Sequence, residues 1–383
     1  MNEVKKKKKI IWQQYIVMAF MILIGAFCGI IMVLYVDKLY ADAPLYKEIL
    51  SLLILFIGLY LALFFNIIIH EAGHLVFGLM TGYKFTSFRI ASFMWLKQNG
   101  KIKLKRVSIA GTGGQCLMSP PDMKDGKIPI VLYNLGGSFL NLITGALFLG
   151  GYLLLSDIPL LPVILLMFAI IGFMAAMING IPMRMGAVDN DGYNAFALSK
   201  NREAVEAFWV QLKIVEQTTK GVRLKDMPAE WFAVPTDEAM KNSMVATRCV
   251  LACNRLMDEE KFEEADALMA HLLEIESGIV GIHHDLLICD RICVELIGEN
   301  RREVIESMMS KAQKKFMKAM KRFPSVLRTQ YALSLLFENN AANAETAKRD
   351  FEKTAKSYPY PHEIDSEREL MRIAEQKIAT QEQ

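Results

Sequence analysis

The chain has 383 residues, 53% hydrophobic and 22% charged. That apolar share exceeds the roughly 45–50% of soluble domains, which argues against one ordinary soluble domain at a length sufficient for two or three. The net charge of +3 divides unevenly, with 17 Lys+Arg against 10 Asp+Glu over residues 1–199 and 27 against 31 over residues 200–383. Because the positive excess flanks apolar segments instead of lining one folded face, a membrane surface is expected as partner and nucleic acid is not.

Residues 5–9 are all lysine, and residues 10–35 then carry no charged side chain. At 1.5 Å per residue that run exceeds a ~30 Å hydrocarbon core and predicts a first membrane span. A second apolar stretch, 52–80, has ionisable groups only at His70, Glu71 and His74, and uncharged stretches follow at 128–156 and 158–183. About four transmembrane helices are predicted. The lysine run and the nine Lys/Arg of residues 84–127 fall on one side if the first span runs outward, leaving only Lys38 and Lys47 opposite. The orientation rule for Lys and Arg then puts the N-terminus and the C-terminal half in the cytosol.

Between the second and third spans, residues 93–96 and 101–107 flank Gln98-Asn99-Gly100. Asn-Gly supplies the positive φ of a two-residue turn, so a β-hairpin is expected at the membrane edge. Gly111, Gly113, Gly114 and Pro120-Pro121 predict a break in regular structure after it.

Beyond residue 199 hydropathy falls and helical periodicity appears near 242–257, 261–276, 280–296, 302–322, 324–337, 344–358 and 367–381. Short polar turns group these segments into helical hairpins. The pattern resembles tetratricopeptide repeats, most visibly from Arg255-Leu256-Met257 to Phe262-Glu263-Glu264-Ala265. An irregular helical bundle is the alternative. Residues 218–236 read as a connector whose aromatics dock on the membrane or on the helices. The six cysteines lack disulfide-framework spacing, and the pairs Cys249/Cys253 and Cys289/Cys293 read as packing residues of a reducing compartment. The expected fold is an all-α membrane protein with a small β-hairpin plus a cytosolic α-helical repeat domain. Its divisions are 1–45 (tail and first span), 46–199 (membrane core), 200–240 (connector) and 241–383 (helical domain).

His70-Glu71-Ala72-Gly73-His74 carries the chemistry. On a helix, i and i+4 share a face, so two imidazoles can hold one zinc while the intervening Glu reaches its water. With six His and 26 Glu in the chain, a chance match is expected on the order of 0.6% of the time. A carboxylate at membrane depth also costs about 2.5 kcal/mol or more unless a partner or wet cavity receives it. Catalytic zinc takes three protein ligands plus water, so one ligand is missing. The carboxylates nearest a span end are Asp189 and Asp191, both after the fourth span.

The membrane-helix His70–His74 motif, the later Asn179-Gly180-Ile181-Pro182 and the Asp191-Gly192 pair together resemble the site-2 protease family of intramembrane zinc metalloproteases. Gly137-Ser138-Phe139-Leu140-Asn141 is similar to that family's Gly-Pro-x-x-Asn, with Ser138 in the proline's place. The resemblance covers about residues 46–199. It implies Zn2+ held by His70, His74 and Asp191, Glu71 as general base and acid, and Asn141 and Asn179 as substrate-orienting or oxyanion-stabilising groups. It further implies an integral protein of the bacterial cell membrane acting on membrane-embedded or membrane-associated proteins or peptides. The helical domain would regulate access or bind a cytosolic protein partner. The hairpin strand 101–107 is a candidate for pairing with an unwound substrate. The alternative function is a membrane-tethered adaptor, catalytically inactive, that works through its helical repeats.

Overall fold

The computed structural model describes residues 12–109, 112–185 and 188–381. The lysines at 5–9, the first residues of the predicted first span and Gly111 lie outside the described residues. Two compact units are present. One comprises the chain up to Gly78 together with Val131–Phe196, and the other Leu79–Ile130 together with Ala197–Gln383.

Four helices of the first unit are long and apolar enough to cross a membrane: α1 (Trp12–Tyr40), α2 (Leu45–Met80), α3 (Val131–Leu154) and α4 (Leu161–Gly180). Their outward faces expose large apolar side chains such as Leu23, Leu61 and Leu147, at 67%, 45% and 70%. Such continuous apolar exposure fits lipid and not water. α2 begins seven residues before the predicted stretch, and at 1.5 Å per residue its 36 residues measure about 54 Å. Lys47 and Glu48 continue the helix beyond the apolar run, because hydropathy reports the bilayer crossing and not where hydrogen bonding stops.

α1, α2 and α4 meet through Met32, Val36, Leu55, Val163 and Met167. α3 lies on α4, with Phe148 against Phe168 at 4.9 Å between ring centroids. α2 and α3 approach through small residues: a Cβ at Gly73 would collide with the backbone of Gly136 and Gly137. Close backbone approach of this kind is how apolar helices associate where lipid removes the hydrophobic incentive.

The second unit begins with a four-stranded antiparallel sheet, β1 (Lys84–Ile90), β2 (Phe93–Gln98), β3 (Lys101–Arg106) and β4 (Gly114–Ser119), in the order β3-β2-β1-β4. The expected hairpin is β2–β3, closed by Asn99 and Gly100 at φ 51° and 74°. The isolated hairpin is corrected to a sheet: β1 was not anticipated, and Gly114 opens a strand where a break was expected. β4 pairs with β1 from Lys84↔Ser119 to Ile90↔Gly114. β3 is an edge strand whose last N–H, at Arg106, goes to the Ser357 carbonyl at 2.9 Å.

The first half of residues 200–240 is a regular helix, α6 (Arg202–Thr219), capped by Asn201 accepting from the Ala204 N–H; α5 (Asp191–Ser199) precedes it. α6 joins the sheet through Ser119 Oγ donating to Glu216 at 2.5 Å and Trp209 Nε1 donating to the Pro121 carbonyl at 3.0 Å. The connector aromatics dock on helices: Trp231 stands edge-on to Trp209, and Phe232 is buried with Val210, Ile214 and Ala252. The remaining helices are α7 (Ser243–Asp258), α8 (Phe262–Glu274), α9 (Gly281–Ile297), α10 (Arg302–Met308), α11 (Lys311–Ala319), α12 (Pro324–Ala332), α13 (Ala341–Ala355) and α14 (Pro361–Gln381). α7 packs on α8 and α12 on α13. The single predicted helix 302–322 is divided because Ser310 accepts from the Gln313 N–H and starts a new one. A π-turn, Leu333–Phe337, continues α12. All six cysteines are buried and unbridged.

Candidate metal centre

His70 and His74 occupy successive turns of α2, near its C-terminal end, with Glu71 between them; all three are buried. Their rings are positioned by α3. His74 Nδ1 lies 2.8 Å from the Tyr133 carbonyl, which can only accept, so the proton of that ring sits on Nδ1. His70 Nδ1 lies 3.0 Å from Asn141 Oδ1. The polarity of that contact is set one step away. Asn66 donates to the Ala62 and Phe168 carbonyls, which turns its own Oδ1 toward Asn141, and Asn141 Nδ2 donates to Asn66 Oδ1 and O at 3.0 and 3.2 Å. Asn141 therefore presents its oxygen to His70, and His70 donates from Nδ1.

The third group comes from the segment after α4. Asn190 folds that segment back: its amide donates to the Ile178 and Ile181 carbonyls, both at 2.6 Å, and its oxygen accepts from the Met183 and Tyr193 N–H groups. Gly192 lies against the Gly180 backbone so closely that a Cβ would not fit. Asp191, the first residue of α5, is thereby set against α2, with Oδ2 2.9 Å from His70 Nε2 and 3.4 Å from His74 Nε2. The two Nε2 atoms are 3.2 Å apart. Glu71 lies within electrostatic range of His74.

With both Nδ1 protons directed outward, three acceptor atoms face one point. A proton satisfies one pair of them, whereas a multivalent cation satisfies all three. The triangle, with edges of 2.9, 3.2 and 3.4 Å, suits tetrahedral zinc, whose ligand bonds of about 2.0–2.1 Å separate neighbouring donors by about 3.3–3.4 Å. His70, His74 and Asp191 are the one such cluster among the described residues.

The other expected site residues are placed as follows. Asp189 is bonded to Arg184 at 3.2 Å and is not among the groups clustered with the imidazoles. Asn141 is wholly buried with both amide hydrogens engaged. Asn179 donates to the Ala175 carbonyl of its own helix. Sequence reasoning missed Asn66 and Asn190. Asn66 lies one turn before His70 in an apolar helix, where any carboxamide needs a reason; Asn190 precedes a helix start, a position Asn favours. Comparison with protein-family models, curated proteins and solved structures found no match to this chain.

Proposed function

We propose that the protein is an intramembrane zinc metalloprotease of the site-2 protease kind, acting on membrane-embedded or membrane-associated protein or peptide substrates. The observation that carries this reading is the convergence of His70 Nε2, His74 Nε2 and Asp191 Oδ2 within 3.4 Å, with both ring tautomers fixed from behind. These three residues would hold the ion. Zinc bound there acidifies a water toward pKa ~7 and polarises a peptide carbonyl.

The chain's own groups do the rest. Glu71, one residue from His70 and buried beside it, takes the proton of the attacking water and returns it to the leaving amine. Tyr133, Asn141 and Asn66 fix the imidazoles so that their lone pairs need no reorganisation. A substrate helix must unwind before attack because its carbonyls are engaged within the helix. The Lys/Arg distribution supports an orientation with the N-terminus and the C-terminal half cytosolic, and placement in a bacterial cell membrane rests on the family resemblance. The helical unit would then serve as a repeat-like domain for a cytosolic partner.

Metal analysis of the purified protein and of Glu71→Gln, paired with cleavage of single-span membrane substrates, tests the reading. About one zinc per chain is expected in both proteins, with cleavage in the wild type alone. A folded wild-type sample that takes up no zinc would return the chain to the tethered-adaptor reading.

A further inference from the structure

The sheet of the second unit has two unlike faces, because successive side chains of β2 and β3 point to opposite sides. On one side Met94 and Leu96 are buried, and Met94 shares a core with Phe351 of α13 and Ile364 of α14. On the other side Trp95 stands opposite Leu104, and Lys97 opposite Ile102. Leu104 and Ile102 are 58% and 65% exposed, with Trp95 and Phe93 exposed beside them. Beyond the end of α2, Val234 is the one other large apolar side chain that the second unit exposes among its described residues. Four adjacent apolar side chains left open mark an interaction surface.

The charge around this face has one sign. Residues 84–121 hold seven Lys or Arg and no Asp or Glu. Arg89 is buried and engaged with Ala91, Thr112 and Gly114, which leaves six cations for the surface. Lys97 and Arg106 flank the apolar face at its two ends, Lys97 across from Ile102 and Arg106 with its guanidinium 4.7 Å from the Phe93 ring centroid. Lys101 follows the turn. The chain also ties the sheet to a helix that can cross a membrane: β1 starts four residues after α2 ends, a tether of at most about 14 Å.

We propose that the outer face of the β2–β3 hairpin docks on an anionic lipid leaflet. Leu104 and Ile102 enter the boundary between headgroups and acyl chains, Trp95 sits at headgroup level, and Lys97, Lys101 and Arg106 meet lipid phosphates. An acidic protein segment would answer the cations and leave the two aliphatic side chains uncovered. Single-stranded nucleic acid stacks on aromatic rings but gains nothing from Leu104 and Ile102. A second copy of the chain would set the same cations against one another. The inference concerns the second unit and lipid, and it is independent of the zinc reading.

Full-length Leu104→Cys carrying a nitroxide label, reconstituted at one chain per lipid nanodisc, tests it by power saturation against oxygen and a neutral nickel chelate. The six native cysteines are buried, and label on the wild type measures their background. Lys353→Cys, on the exposed surface of α13, is the solvent reference. In discs of phosphatidylcholine with about one third phosphatidylglycerol, the label at position 104 is expected to lose nickel access and gain oxygen access relative to that reference. Phosphatidylcholine alone should reopen the site, the docking equilibrium falling on the order of 100-fold for three cations at an anionic surface. Lys97→Glu combined with Arg106→Glu should reopen it in the anionic discs as well. Nickel access equal to the reference in anionic discs, protection that is the same with and without phosphatidylglycerol, or indifference to the double charge reversal overturns the proposal. Protection that appears only with two chains per disc, with spin–spin broadening, assigns the face to a second copy and overturns it too.

Discussion

Gly137→Ala is the most informative single change. A Cβ at Gly137 would sit 2.5 Å from His70 Cε1, 2.6 Å from Nδ1 and 2.7 Å from Nε2. Carbon contacts are comfortable near 3.5–4.0 Å, so the imidazole has to retreat by about 1 Å. Retreat of α3 is opposed from its other side by α4, where Phe148 lies on Phe168 and a Cβ at Gly172 would meet the Asn141 carbonyl at 3.2 Å. A zinc ligand tolerates displacements of about 0.2 Å, and the 3.0 Å contact from His70 to Asn141 is strained by the same movement. In an open helix interior Gly→Ala stabilises by about 1 kcal/mol, so a large loss here has a local cause. We expect zinc affinity to fall at least about 100-fold, or about 2.7 kcal/mol, beyond the usual effect of disturbing an outer-shell partner. Competition against a chromophoric chelator in detergent measures it, with helicity recorded alongside. Gly145→Ala is the control: its Cβ meets the Phe173 ring at 3.0–3.3 Å, two turns from the imidazoles, and zinc affinity should stay at the wild-type level. Wild-type affinity in Gly137→Ala would mean that His70 does not bind the metal in this geometry.

Two other outcomes are expected. Asp191→Asn should lose most bound zinc while Asp189→Asn keeps it, because Asp189 serves Arg184; the reverse pattern, read by metal analysis, would reassign the third ligand. Burial pushes Glu363 up from 4.5 to about 7, so its contribution to stability is complete below pH 4.5 and is lost as pH rises through 7. Glu363→Gln should therefore match wild type below pH 4.5 and exceed it by at most about 3 kcal/mol above pH 7, read from amide exchange in α14. A difference that does not grow with pH would contradict the burial of that carboxyl.

The sequence disclosed most where the signal is local. The four apolar helices are runs of side-chain type, the β2–β3 turn is a dipeptide, and the imidazole pair is a one-turn spacing. β1 and β4 were not legible because their pairing joins residues 84–90 to 114–119 across the hairpin, and Gly114 reads alone as a breaker. α6 was obscured by the neighbouring connector, although Asn201 marked its start. The choice of Asp191 over Asp189 rests on Asn190 bonding back to Ile178 and Ile181, a tertiary fact with only a weak trace in the chain.

The polar groups inside the apolar unit bear on which reading of that unit is better. Two helices that needed only a polar contact could use one amide pair, whose orientation is immaterial. Here the carbonyls of Ala62 and Phe168 orient Asn66, Asn66 orients Asn141, and Asn141 settles which nitrogen of His70 carries the proton. Tyr133 does the same for His74 in one step. A directed chain of this sort costs two carboxamides at apolar positions. It yields two lone pairs facing a carboxylate, an arrangement that is unfavourable without a cation between them. That cost is hard to account for in an inert scaffold and supports the proposed metal site.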